Sequence, residues 1–166
     1  MLTNNARAIL KYSMISGFSG IYSSQKVVDT SGEEVPLKVT NDDNCMIRYN
    51  SYLYLAYNTN RGWRVGSGGR APTESDYALQ NLITEGISLS NAQASYIANA
   101  DSHELILSLP LKNTSSSNKT IAELGFFVRV ADSSSALVDR IVLATPVTIL
   151  PSEIATINVH VSVPTN

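Results

Sequence analysis

Histidine, cysteine and close pairs of acids are the side chains from which most reactive sites are built. This chain of 166 residues has two histidines, His103 and His160, and one cysteine, Cys45. A zinc site wants several such ligands at short spacing, and these three stand far apart, so no metal is expected. A nucleophilic serine is usually presented on a sharp Gly-x-Ser-x-Gly turn. The nearest segment, Gly17-Phe18-Ser19-Gly20, has the wrong spacing, and no catalytic residue is assigned. Gly66-Ser67-Gly68-Gly69-Arg70 has the glycines of a phosphate-binding loop without the Lys-Ser/Thr pair that completes one. It reads as a flexible loop, and no cofactor is implied. Asp42-Asp43 lacks the spaced oxygen ligands of a calcium loop and reads as a polar turn. Asn113-Thr114-Ser115 and Asn118-Lys119-Thr120 match the glycosylation pattern, which a chain so rich in these residue types produces by chance.

The aromatic group Tyr49, Tyr52, Tyr54, Tyr57 and Trp63 is more informative. Residues 45–57 alternate as a strand does. With Leu53 and Leu55 inward, Tyr52 and Tyr54 point outward, and Trp63 follows closely. Outward aromatics anchor protein partners. They also stack on sugar rings, which gives a carbohydrate-binding module as the alternative function, with a host surface glycan as its partner. A third reading has a loop or the N-terminal helix cover them.

Composition narrows the elements that position these residues. Ser, Thr and Asn number 22, 12 and 14, while charged residues make up 16%; such a chain favours turns and strands over helices. A net charge of −2 provides no basic surface for nucleic acid. No segment has the apolar length of a membrane span. The first twenty residues carry Arg7 and Lys11 inside their apolar stretch and do not read as a signal peptide. A lone cysteine suits a reducing cytoplasm.

Residues 3–14 have helical spacing, with Thr3 or Asn4 as cap, and residues 1–16 are expected to form a helical N-terminal arm. Val27-Val28 and Val35–Val39 read as short strands around a turn, and Thr73 to Leu82 as a short helical turn. The second half is strand pattern: Leu105 to Leu111, Ala122 to Val130 and Ile157 to Val163 alternate with polar residues. Strands at this spacing, without long helices between them, predict an all-β fold. It is a single antiparallel β-sandwich, jelly-roll or immunoglobulin-like, occupying residues 1–166 as one domain.

Two segments carry a resemblance. Val65-Gly66-Ser67-Gly68-Gly69-Arg70-Ala71-Pro72-Thr73-Glu74-Ser75-Asp76-Tyr77-Ala78-Leu79 is similar to a VGxGxxAPxxxDYxL segment of small structural proteins of tailed bacteriophages. Thr120-Ile121-Ala122-Glu123-Leu124-Gly125-Phe126-Phe127 resembles a TIxEIGL(F/Y) strand of the same proteins, with Leu124 and Phe126 as departures that keep apolar side chains. A strand containing Arg140 follows, then Thr145-Pro146-Val147. The resemblance implies a virion component of decoration, head-fibre, collar or tail-tip type, made in the host cytoplasm and without enzymatic activity. Its implied partners are copies of itself, as a homo-oligomer, and other virion proteins. Glu123, Phe127 and Arg129 share one strand face and, with Tyr52, Tyr54 and Trp63, are the expected partner contacts. Gly125 on that face is expected to admit a neighbouring subunit. The glycines at 66, 68 and 69 are expected to supply backbone angles closed to other residues.

Overall fold

Period-two alternation in the second half of the chain dictates long strands, and the computed structural model has them. It describes residues 2–8, 26–36, 62–90, 92–98, 102–130 and 134–164. The strands are β1 (Lys26–Val28), β2 (Glu34–Pro36), β3 (Gly62–Gly66), β4 (Ile87–Leu89), β5 (Gln93–Ala98), β6 (Ser102–Asn113), β7 (Lys119–Arg129), β8 (Ser135–Ile149) and β9 (Ile154–Pro164). The fold is all-β, with antiparallel sheets and one short N-terminal helix over residues 4–8. The expected strand over 45–57 and the remainder of the expected 3–14 helix lie outside the described residues.

Among the described residues two larger sheets flank the core, and β1 pairs β2 as a third, two-stranded sheet that adds Val27 to it. One of the larger sheets has the order β3-β7-β8; in the other, β9 pairs one side of β6 while β4 and β5 share its opposite side. The apolar beat of β6 buries Leu107, Leu109 and Leu111, and that of β9 buries Ile157 and Val159. They join one cluster with Trp63 and Val65 of β3 and Leu124, Phe126 and Val128 of β7. Burying each large side chain contributes about 1.5–3 kcal/mol. Trp63 stands opposite Phe126 in the ladder, the ring centroids 5.2 Å apart.

The β7–β8 ladder is interrupted twice. It passes from Ile121↔Val147 to Glu123↔Val142, leaving out the stretch that holds Pro146, which has no N–H to donate. It also skips Val138. The Val138 carbonyl instead accepts the Thr3 N–H at 3.0 Å, and the Thr3 hydroxyl donates to the Leu137 carbonyl at 2.6 Å. Thr3 also caps the helix, its Oγ1 accepting the Ala6 N–H at 3.4 Å. Asn5 bonds β1 as a strand would: Nδ2 donates to Val28 O at 2.7 Å and Oδ1 accepts from Val28 N at 2.8 Å. Residues 2–8 are thus tied to β1 and β8 of their own chain.

At the opposite corner Asn113 is fully buried. Its Nδ2 donates to the Ser117 and Ile149 carbonyls at 2.7 and 2.9 Å, and its Oδ1 accepts from Ser115 N–H at 2.9 Å. The side chain pins the β6–β7 turn to the end of β8. Because the amide nitrogen to which a glycan would attach is spent inside the fold, the Asn113 sequence match has a structural purpose.

Candidate functional site

The second face of the β3-β7-β8 sheet is the feature of greatest chemical interest, and it is not a surface. Alternation places Arg64 and Gly66 of β3 and Glu123, Gly125 and Phe127 of β7 on this side, and the register shift at Val138 brings both Leu137 and Arg140 of β8 to it. The segment from Ser67 to Leu82 folds back across it. Leu79 packs with Phe127 and Leu137 as a second apolar cluster, and the Arg64 guanidinium lies 4.4 Å from the centre of the Phe127 ring.

Beside that cluster is a group of buried charges. Arg140 has no solvent exposure, nor has Glu123, and Asp76 is 7% exposed. Arg140 Nε donates to Glu123 Oε2 at 2.8 Å, and its other arm donates to Asp76 Oδ2 at 2.8 Å. Glu123 also accepts the backbone N–H groups of Gly68, Gln80 and Asn81 at 3.2, 3.2 and 2.9 Å. Asp76 accepts from Arg70, from the Thr73 N–H at 2.9 Å and from the Thr73 hydroxyl at 2.9 Å. Two carboxylates face two guanidinium groups, so the cluster is balanced, and both carboxylates are saturated with donors.

Burial opposes ionisation of Asp76, but the hydrogen bonds from Arg70, Thr73 and Arg140 outweigh it and hold the carboxyl well below the usual carboxylate range. For Arg140 burial works against the cation, and the bonds to Asp76 and Glu123 reverse that and raise its pKa. Chemically the arrangement clamps the 67–82 segment to the sheet. Glu123, with both oxygens engaged by donors and no exposure, is not placed to move a substrate proton.

The glycines follow from this clamp. A Cβ on Gly66 would lie 2.5 Å from Glu123 Oε1, and one on Gly68 would lie 2.7 Å from the same oxygen. Their backbone angles are not the reason, since the positive-φ glycines of the described residues are Gly32, Gly62 and Gly86. At Gly125 a Cβ would meet Phe127, Leu137 and Leu79 at 2.8–2.9 Å. Gly125 therefore admits the chain's own interior and not a neighbouring subunit.

The expected contact residues separate accordingly. Trp63, Glu123 and Phe127 are buried at 3%, 0% and 1% exposure, so none is a surface anchor and Trp63 is no platform for a sugar ring. Tyr52 and Tyr54 lie outside the described residues, as does the side chain of Arg129, which stands at the end of β7. The polar beat of Glu123, Gly125 and Phe127 suggested an outer face. The presence of Phe127 and of a glycine on that beat was the signal that both faces are covered.

His103 belongs to β6. The register puts it on the opposite sheet face from His160, and the two form separate pairs. Tyr96 stacks on His103 with centroids 5.6 Å apart and hydrogen-bonds its Nδ1. His160 Nδ1 contacts Glu104 Oε1 at 2.6 Å on the exposed face. Among the described residues no three His, Cys, Asp or Glu side chains gather as a metal site would require. A cleft of about 450 Å³ opens between β3 and β4, lined mainly by apolar residues such as Val65, Leu82, Ile83 and Leu89, with Arg64 at its wall. The segment Thr73 to Leu82 that positions Asp76 is a run of turns where a helical turn was expected. No protein-family model, curated protein or solved structure matches the chain.

Proposed function

We propose that this chain is a non-enzymatic structural subunit of a bacteriophage virion that assembles with itself and with capsid, neck or tail components. One observation carries the reading. Asp76 and Glu123 are charged residues of the two segments that carry the resemblance to small phage structural proteins, and Arg140 belongs to the strand that follows them. They converge in a single buried cluster. Segments that are separate in sequence thus form one interlocked unit, and their ionisable side chains serve to hold a loop on a sheet. A low charge content and a Ser/Thr/Asn-rich composition suit a subunit whose neighbours are neutral protein surfaces. Closed symmetry is the usual outcome of such self-association.

Sedimentation of the purified chain, alone and mixed with assembled particles lacking it, tests the proposal. The expected result is a discrete oligomer, saturable binding to the particles, or both. A monodisperse monomer that stays in the supernatant overturns it.

A further inference from the structure

The two lateral edges of the β9-β6-β4/β5 sheet are built differently. On one side the edge is divided between β4, three residues long, and β5, six residues long. Short, interrupted edges resist pairing with other chains. On the other side β9 runs eleven residues, Ile154–Pro164, and keeps register with β6 from Lys112↔Ile154 to Ser102↔Pro164 without a bulge. Among the described residues β6 is the only strand paired with β9. Every second N–H and C=O of β9 points away from β6.

Monomeric sheet proteins blunt such an edge with charges, bulges or proline. The β9 sequence IATINVHVSVP holds no Asp, Glu, Lys or Arg, and its proline is the last residue. The apolar face is also incompletely covered at this end. Leu107 and Val159, opposite one another, are 1% and 8% exposed. One row further along, Tyr96, Leu105 and Val161 lie side by side across β5, β6 and β9. There Tyr96 is 63% and Val161 46% exposed.

We infer that β9 is the self-assembly edge of this protein and that it pairs antiparallel with β9 of a second copy; the inference rests on the assembly reading above and names its contact. Antiparallel pairing of identical strands closes on a two-fold axis. Centred on Val159, it sets Ile157 beside Val161 of the second copy on the apolar face, and Asn158 beside His160 of the second copy on the polar face. Apolar groups meet apolar groups throughout, and the exposed Val161 gains a neighbour. The association stops at two copies through this edge, because the far edge of each sheet is the broken β4/β5 side.

The test is sedimentation equilibrium of the full chain against the double variant Asn158→Lys/His160→Lys, which opposes like charges twice across the axis. The control, Gln93→Lys/Ser95→Lys, adds the same charge to β5. The 158/160 variant is expected to weaken self-association roughly tenfold or more, and the control to leave it unchanged. In the wild type, amides of 154–164 are expected to gain hydrogen-exchange protection as concentration rises through the association range, a readout that needs no variant to fold. An oligomer indifferent to the 158/160 lysines, with exchange in β9 independent of concentration, overturns the β9 contact and leaves the assembly reading standing. A monomer that still binds particles does the same. A monomer that ignores them overturns both.

Discussion

Arg140 and Glu123 face each other across the β7–β8 ladder with no exposure to solvent, joined by two contacts of 2.8 Å from Nε and from a terminal guanidinium nitrogen. The register does not pair them directly, since Arg140 stands opposite Gly125 and Glu123 opposite Val142. They meet diagonally, while the space over Gly125 is filled by Phe127, Leu137 and Leu79. Removing Arg140 leaves the buried Glu123 carboxylate without its cation, and removing Glu123 leaves the buried Arg140 with Asp76 alone.

Glu123→Gln and Arg140→Met are each expected to destabilise the folded chain by about 3–5 kcal/mol, the usual cost of breaking a buried ion pair. The double variant is expected to cost less than the sum of the two, because the residues share one network. Urea unfolding of the four species closes the cycle. Strict additivity would show that the pair is not coupled.

Asp76 is expected to contribute to the acid limit of stability. Its folded pKa is depressed, so the stabilisation it provides is fully present above the ordinary carboxylate pKa of about 4 and is lost as pH falls below that toward the folded value. The wild type should lose stability progressively below about pH 5. Asp76→Asn should be less stable near neutrality and show a shallower acid slope over that range. Thermal melts from pH 7 to pH 2 on both proteins measure the difference.

Gly125 is a packing position of the monomer. Gly125→Ala is expected to cost about 1–3 kcal/mol through overpacking against Phe127, Leu137 and Leu79. Gly125→Leu should lower the unfolding midpoint of the isolated chain more severely. A Gly125→Leu chain that melts like the wild type but fails to associate would restore the subunit-contact reading of this glycine.

Asn113 joins three parts of the chain, and Asn113→Ala leaves the Ile149 and Ser117 carbonyls without their shared donor. A loss of about 2–3 kcal/mol is expected, seen as a lower urea midpoint at unchanged slope. Asn113→Asp should cost at least as much, because it turns a donor into a third oxygen facing two carbonyls.

Strands and their apolar faces were legible from residue order because a strand's alternation is local. The alternating segments that begin at Leu105, Ala122 and Ile157 fall in β6, β7 and β9, with Leu107, Leu109, Leu111, Leu124, Phe126, Val128, Ile157 and Val159 in the core, and Val27-Val28 and Val35 flank the expected turn. A helix cap at Thr3 or Asn4 was legible for the same reason, and the structure uses Thr3, whose hydroxyl serves an N–H three residues away. What lay beyond residue order was whether the second face of a strand meets water or protein. Glu123, Gly125 and Phe127 look the same in either case, and the difference is made by Asp76, Leu79 and Asn81, more than forty residues distant in the chain. Tertiary structure alone decided that Trp63 is core, that Gly66 and Gly68 exist for room beside a carboxylate, and that Asn113 is a brace. Each of these depends on which distant segment arrives next to the residue, and the free energy of that arrival belongs to the whole packed sheet, not to a stretch of sequence.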